Sequence, residues 1–169
     1  MTVLIIGYPD SGKSGLAEDM VMEMSSPGGR IYLATMIPYG EEGRARIEKH
    51  RAMRDGKGFV TIEAPFDAAD TAKKAGIGKD KTVLLECVSN LVANELFEKH
   101  TDNKTVIEKI TADMISLAGS CRDLIIVSNH FRITEDFNEE TVIYAETLDA
   151  VNAKLNEMAD KVITLKEEK

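Results

Sequence analysis

An α/β fold, with a mostly parallel sheet covered by helices on both faces and a phosphate-binding loop behind its first strand, is predicted by three observations. Short β-branched apolar runs recur along the chain, helical stretches separate them, and "GYPDSGKS" at residues 7–14 follows the first run directly. Continuous apolar strands are buried on both faces, and helical connections between them make neighbouring strands parallel. With 169 residues the chain is long enough for one sizeable core and too short for two ordinary ones, so residues 1–169 are read as a single P-loop domain.

The elements follow in order. "TVLIIG" at 2–7 is the strand that feeds the glycine loop, and "GLAEDMVMEM" at 15–24 repeats apolar residues at helical spacing until the turn cluster "SSPGG" stops it. "RIYLAT" at 30–35 is the second strand. Residues 41–54 are polar and charged with a thin apolar stripe of Ala45, Ile47 and Ala52, the pattern of a surface helix. "GFVTIE" at 58–63, "KTVLLEC" at 81–87, "DLIIVSN" at 123–129 and "DKVITL" at 160–165 are the remaining strands. Helical stretches at 88–99 and 104–119, split by "HTDN", precede the fifth strand, and 139–159 form the last long helix. No repeat, low-complexity tract or linker interrupts this pattern.

Composition narrows the function. A formal charge of −8 and a pI near 5.0 give no broad positive field for a nucleic-acid backbone. A small anion held by a local basic patch is still compatible with that charge. Cys87 and Cys121 sit beside or inside apolar strands, as inert core thiols do, and fit a reduced, cytoplasmic compartment. No stretch reaches the roughly 20 apolar residues of a membrane span, and the N-terminus shows no basic region with a cleavage site. The expectation is a soluble, untargeted protein.

The loop carries the strongest chemical signal. G-x-x-x-x-G-K-S needs glycines where backbone approaches phosphate oxygens, a lysine for the β- and γ-phosphates, and a hydroxyl for magnesium. Here these are Gly7, Gly12, Lys13 and Ser14, with Ser11 also near the positive end of the following helix. Such a loop works with a carboxylate at the end of a neighbouring strand that orients the metal, and Glu86, closing "TVLLE", is the candidate. A single acid ending a strand is also ordinary. Asp10 reads as a turn residue. "NKTV" at 103–106 lacks the aspartate of the guanine-reading N-K-x-D segment, which argues against a signalling GTPase and leaves a small-molecule kinase or nucleotidyltransferase.

"GRARIEKHRAMR" at 43–54 is the second candidate. On a helix Arg46, His50 and Arg54 share one face, with Arg51 adjacent and Lys49 nearby. A neutral imidazole there can attack phosphorus while guanidiniums offset charge on the phosphate oxygens. The same pattern describes a solvated face with ion pairs such as Arg46 with Glu42, and spacing alone favours that reading. His100 falls at a helix end. Asn129 and His130 fall at the carboxyl end of a strand, where open α/β sheets bind ligands.

Taken together, "GYPDSGKS", "YLAT", "RIEKHR", "VLLECVSNLVANELF" and "VNAKLNEMADKV" resemble the bifunctional adenosylcobinamide kinase / adenosylcobinamide-phosphate guanylyltransferase family of cobalamin biosynthesis. The resemblance runs through nearly the whole chain in the same order. It implies a RecA-like fold, a cytoplasmic homotrimer, a corrinoid substrate, magnesium, and GTP or ATP as phosphoryl donor. It makes His50 the guanylylated nucleophile, matches Gly7, Gly12, Lys13 and Ser14 to the nucleotide loop, and matches Glu86 to the acid of the "LLE" strand. Asn94 and Asn129 match recurring asparagines of unassigned role. The chain departs from the family after Asn129, where His130, Phe131 and Arg132 replace Glu-Val-Gly, and in "AETLDAVN", which keeps Asn152 with an acid at Glu146. A kinase without guanylyl transfer, or a GTP-binding regulator, are the rival readings.

Overall fold

The computed structural model describes residues 1–166, so the last three residues of the predicted domain, 167–169, lie outside the described residues. Among those described, six strands form one parallel sheet: β1 (Thr2–Gly7), β2 (Arg30–Ala34), β3 (Phe59–Glu63), β4 (Thr82–Glu86), β5 (Asp123–Asn129) and β6 (Lys161–Leu165). Their spatial order is β3-β2-β4-β5-β1-β6. Every expected strand is present. The helices are α1 (Lys13–Met24), α2 (Gly40–Arg54), α3 (Ala68–Lys74), α4 (Val88–Ala93), α5 (Asn103–Ser120) and α6 (Glu139–Met158), and a π-helical turn at Asn94–Glu98 extends α4.

Topology distributes these helices. From β1 the chain moves one way across the sheet to β2 and β3, and then the other way to β4, β5 and β6. Right-handed crossovers therefore put α1 and α2 on one face and α3 to α6 on the other. The strand residues divide accordingly, because successive side chains point to opposite faces. Leu4, Leu33, Leu85 and Ile126 pack with Val106, Met114, Leu148 and Val151 of α5 and α6. Ile5, Tyr32, Leu84 and Ile125 pack with Ala17 and Val21 of α1. Adjacent strands β5 and β1 send their helices to opposite faces, so their carboxyl ends border a crevice of the kind that binds ligands in such sheets.

Three elements differ from expectation. The surface helix expected over 41–54 is present as α2, but of its apolar stripe only Ile47 is half-buried while Ala45 and Ala52 are exposed, and its buried residues are Gly43 and Arg54. A charged residue replaces the stripe because the Arg54 guanidinium carbon lies 3.5 Å from the centre of the Tyr32 ring, a stacked cation–π contact. The helix expected over 88–99 changes to π geometry at Asn94, whose buried carboxamide donates to the carbonyls of Thr35 and Pro65, both at 2.9 Å. Helix α3 was not expected at all. It is short, buries Ala68, Ala69 and Ala72, and takes its N-terminal cap from α5, where Asp113 accepts from the backbone of Ala68 (3.0 Å) and Ala69 (2.8 Å). Cys87 and Cys121 are free, buried thiols, and burial raises the pKa of both, Cys121 to about 11. No helix among the described residues is long and apolar enough to cross a membrane.

The distant cap on α3 is testable. Asp113→Ala leaves two buried N–H groups without partners and should lower unfolding stability by about 1–3 kcal/mol. Urea denaturation monitored by far-UV circular dichroism measures it, and an unchanged midpoint would show that α3 does not depend on this carboxylate.

Candidate active site

The phosphate loop joins β1 to α1 through two glycines that no other residue replaces well. Gly12 has φ 84°, in the left-handed region, and a Cβ on Gly7 would come within 2.5 Å of Ser11 Oγ. Helix α1 begins at Lys13 with no side-chain cap and no acid in its first turn, so its N-terminal dipole stays open to an anion. Lys13 is buried and its Nζ donates to the Tyr8 carbonyl at 3.0 Å. Burial lowers the Lys13 pKa, with Glu86 and Asp10 among the groups that oppose the shift. Asp10 itself sits at φ 60°, as a turn residue does.

Glu86 closes β4 on the face shared with α1. The parallel register sets Ala34 against Glu86, so the carboxylate and Tyr32, two residues back on β2, lie on the same side. Ser14 Oγ donates to Glu86 Oε1, and the Tyr32 hydroxyl donates to Oε2 at 3.0 Å. His50 Nδ1 lies 3.9 Å from Oε1. One carboxylate thus touches the loop, the second strand and α2. Burial and contact with Glu86 both push the Tyr32 pKa upward, which keeps the hydroxyl protonated as the donor.

A cavity of about 640 Å³ joins these groups. Ser11, Gly12, Lys13 and Ser14 line one part of it, Glu86 its floor, and Arg46, His50, Arg51 and Arg54 of α2 the facing wall. Gly7 stands behind the loop and does not line the cavity. Arg51 is largely exposed and pairs with Glu63 at 3.4 Å, whereas Arg54 is buried, stacked on Tyr32 and donating to Thr61 Oγ1 at 3.3 Å. The His50 pKa is lowered, first by burial and then by Arg54, Arg46 and Lys49; the Glu86 carboxylate pulls upward but does not prevail. A neutral imidazole among guanidiniums results.

The remaining candidates separate by face. Asn94 is tied to backbone carbonyls and outside the cavity, whereas Asn129 lines it. Asn152 accepts from Ser128 Oγ (2.5 Å) and donates to the Asn129 carbonyl (3.0 Å), which holds the end of β5 from α6. Glu146 is exposed, and His100 ends the π turn at φ 52°. His130 pairs with Asp149 at 3.1 Å and meets the Tyr8 ring edge-on, its centroid 5.6 Å away. Sequence reasoning missed Tyr32. Its parity with Ile5 and Leu84 marks its face, but its role depends on a strand order that no local pattern encodes.

A glycine loop with a lysine and serine at the edge of a parallel sheet, next to a strand-ending acid, defines a P-loop nucleotide-binding protein. Solved structures agree on that fold. The ATPase domain of G40P superposes with a TM-score of 0.56 at 13% identity over 96% of this chain and 68% of that one. The type III secretion ATPase EscN of enteropathogenic Escherichia coli gives 0.59 at 14% identity over 96% and 42%. A KaiC-like protein of Pyrococcus horikoshii OT3 gives 0.52 at 13% identity over 99% and 71%. The fold is RecA-like.

Residues 3–167 match the family described as cobinamide kinase / cobinamide phosphate guanyltransferase, and the chain belongs to that enzyme family. Two relatives carry the description bifunctional adenosylcobalamin biosynthesis protein CobU. The one from Escherichia coli (strain K12) is 33% identical over 129 residues, 72% of this chain and 68% of the relative. The one from Salmonella typhimurium (strain LT2) is 32% identical over 103 residues, 61% of this chain and 54% of the relative.

The charges around His50 make opposite predictions. Glu86→Gln removes the group that raises the imidazole pKa and should lower it further, whereas Arg54→Ala removes a cation and should raise it. Imidazole chemical shifts followed by NMR against pH measure both. Identical titrations in the wild type and both variants would show that neither group acts on the ring.

Proposed function

We propose that this chain phosphorylates the alcohol of adenosylcobinamide and then transfers GMP from GTP to the product through a guanylylated His50. The observation that carries the reading is a half-buried imidazole with a depressed pKa, flanked by Arg46 and Arg54, in the same cavity as the phosphate loop. In the first step the alcohol oxygen bonds to the γ-phosphorus, the β–γ bridging bond breaks, and the nucleoside diphosphate leaves while the alcohol proton passes to solvent. Lys13 and the open N-terminus of α1 offset charge on the β- and γ-oxygens. In the second step a neutral ring nitrogen of His50 attacks the α-phosphorus of GTP, forming a P–N bond and expelling pyrophosphate. Arg46 and Arg54 are the donors for the phosphate oxygens. The cobinamide phosphate oxygen then takes GMP and the imidazole returns to its neutral form.

The donor set suits magnesium. Among the described residues no cluster of three or more His, Cys, Asp and Glu side chains is positioned to hold a metal. Magnesium is ordinarily held by one or two protein oxygens, with phosphates and water completing its shell, and the adjoining Ser14 hydroxyl and Glu86 carboxylate are such a pair. Bound there, the ion supplies neutralisation of the β- and γ-phosphate charge. A cytoplasmic homotrimer completes the reading. Assembly would cover apolar surface such as Val60 on edge strand β3, which is 52% exposed.

Two measurements decide the assignment. GTP labelled at the α-phosphorus should leave label on the wild-type protein that is lost in acid and survives base, GTP labelled at the γ-phosphorus should leave none, and His50→Asn should abolish labelling. Normal labelling of His50→Asn, or none of the wild type, would remove the nucleophile and leave a kinase. Lys13→Ala should slow cobinamide phosphorylation by about 100-fold or more. A near-normal rate in the folded variant would overturn the loop assignment.

A further inference from the structure

Beyond Lys13 and Glu86 the cavity extends toward α6 into a lobe that the nucleotide steps leave unused. Its lining there includes Ser89, Asn129, Phe131 and Tyr144. Asn129 is paired with Gly7 in the β1–β5 register, so its side chain stands beside the root of the phosphate loop. The carboxamide is fixed at one end, where Nδ2 donates to Ser89 Oγ at 2.6 Å, and its backbone carbonyl is held by Asn152. Its Oδ1 is buried and has no hydrogen-bond partner. Buried carboxamide oxygens are ordinarily satisfied, and one without a protein partner beside a phosphate site can accept from a ligand O–H or N–H.

The walls of the lobe are aromatic. Tyr144 packs between Phe97 and Phe131, with ring centres 6.1 and 5.7 Å apart, and its hydroxyl donates to the Ser89 carbonyl at 3.2 Å. Phe97, against the outer side of Tyr144, is 42% exposed. The cavity volume, about 640 Å³, is of the size that encloses one drug-sized ligand, about 300–1,000 Å³. A nucleoside triphosphate and a macrocycle do not fit in it together. Only a slender arm of the acceptor can enter, and the bulky ring must rest on the rim, which at this end is apolar and aromatic.

We infer that this lobe is the acceptor subsite: Asn129 Oδ1 receives the hydroxyl of the alcohol arm beside the γ-phosphate, and Phe131, Tyr144 and Phe97 seat the apolar edge of the macrocycle. The inference rests on the function proposed above and adds the acceptor-binding residues to it.

Steady-state phosphorylation of cobinamide, with cobinamide and the nucleotide varied separately, tests the assignment in the full-length chain. Phe131→Ala and Phe97→Ala should each raise the KM for cobinamide about tenfold, equivalent to the contact of a partly buried aromatic ring, while the KM for the nucleotide stays within about twofold. Asn129→Ala should lower kcat/KM for cobinamide by about tenfold or more through loss of the hydroxyl's acceptor. Phe97 is exposed enough for its substitution to spare the fold, so its result stands if the Phe131 variant is unstable. Unchanged cobinamide parameters in all three variants of an active protein would overturn the subsite and leave the proposed function intact. A wild-type protein that binds the nucleotide but phosphorylates no cobinamide would overturn the function, and the subsite with it.

Discussion

The Glu86 carboxylate is the constraint on which the site's geometry rests. It ends a strand buried at every position and reaches the ligand edge with little exposure, so both oxygens must find partners within the protein. Ser14 supplies one from the phosphate loop and Tyr32 the other from β2. Those two partners bring together elements that are far apart in sequence, because β5 separates β4 from the loop strand and β2 lies on the other side. Arg54 then stacks on Tyr32, and that contact carries α2 and His50 to the same carboxylate. Removing the charge at position 86 therefore alters the loop serine, the tyrosine and the imidazole together.

The larger share of the apolar core lies on one face of the sheet, and the charged side chains of the cavity gather on the other. The face covered by α3 to α6 contains the larger apolar cluster, with Met114, Leu117, Leu148 and Leu155 all fully buried. The other face has a smaller cluster built on α1, and α2 adds little more than Gly43 and Arg54 to the interior. Polar and charged groups can gather there without interrupting the main core. The arrangement explains why an arginine occupies the buried position of α2, since an apolar residue would pack against Tyr32 but bring no cation to the cavity.

The strands and the loop were legible because their cause is local. Five-residue apolar runs bounded by turn residues have few other uses, and Gly12 announces a left-handed backbone by its identity alone. The basic helix was legible only as a pair of alternatives, solvated face or anion site. What the structure adds is Arg54 over Tyr32, a contact between residues that no sequence spacing relates. Helix α3 escaped notice for the same reason: its alanines give a weak helical pattern, and its cap, Asp113, belongs to another helix. The thin stripe of Ala45, Ile47 and Ala52 marked a surface helix correctly but not the arginine that it buries, because small apolar residues on a charged helix need not face the core.

The proposed function places two reactions in one cavity, which demands that one cation be retained and another suppressed under the same burial. Desolvation lowers the pKa of both Lys13 and His50, because each is charged only when protonated. The starting values decide the different outcomes. Lysine falls from an ordinary 10.5 and histidine from 6.5, so a shift that costs the lysine part of its margin leaves the imidazole neutral at pH 7. The surrounding charges sharpen this contrast. Glu86 and Asp10 pull the lysine back toward its charged form, whereas at the histidine burial together with the cations Arg54, Arg46 and Lys49 outweighs the upward pull of Glu86. The histidine placed among arginines is thus held neutral, the form that the proposed nucleophile requires, by burial and by the same guanidiniums that the proposed function aims at phosphate oxygens.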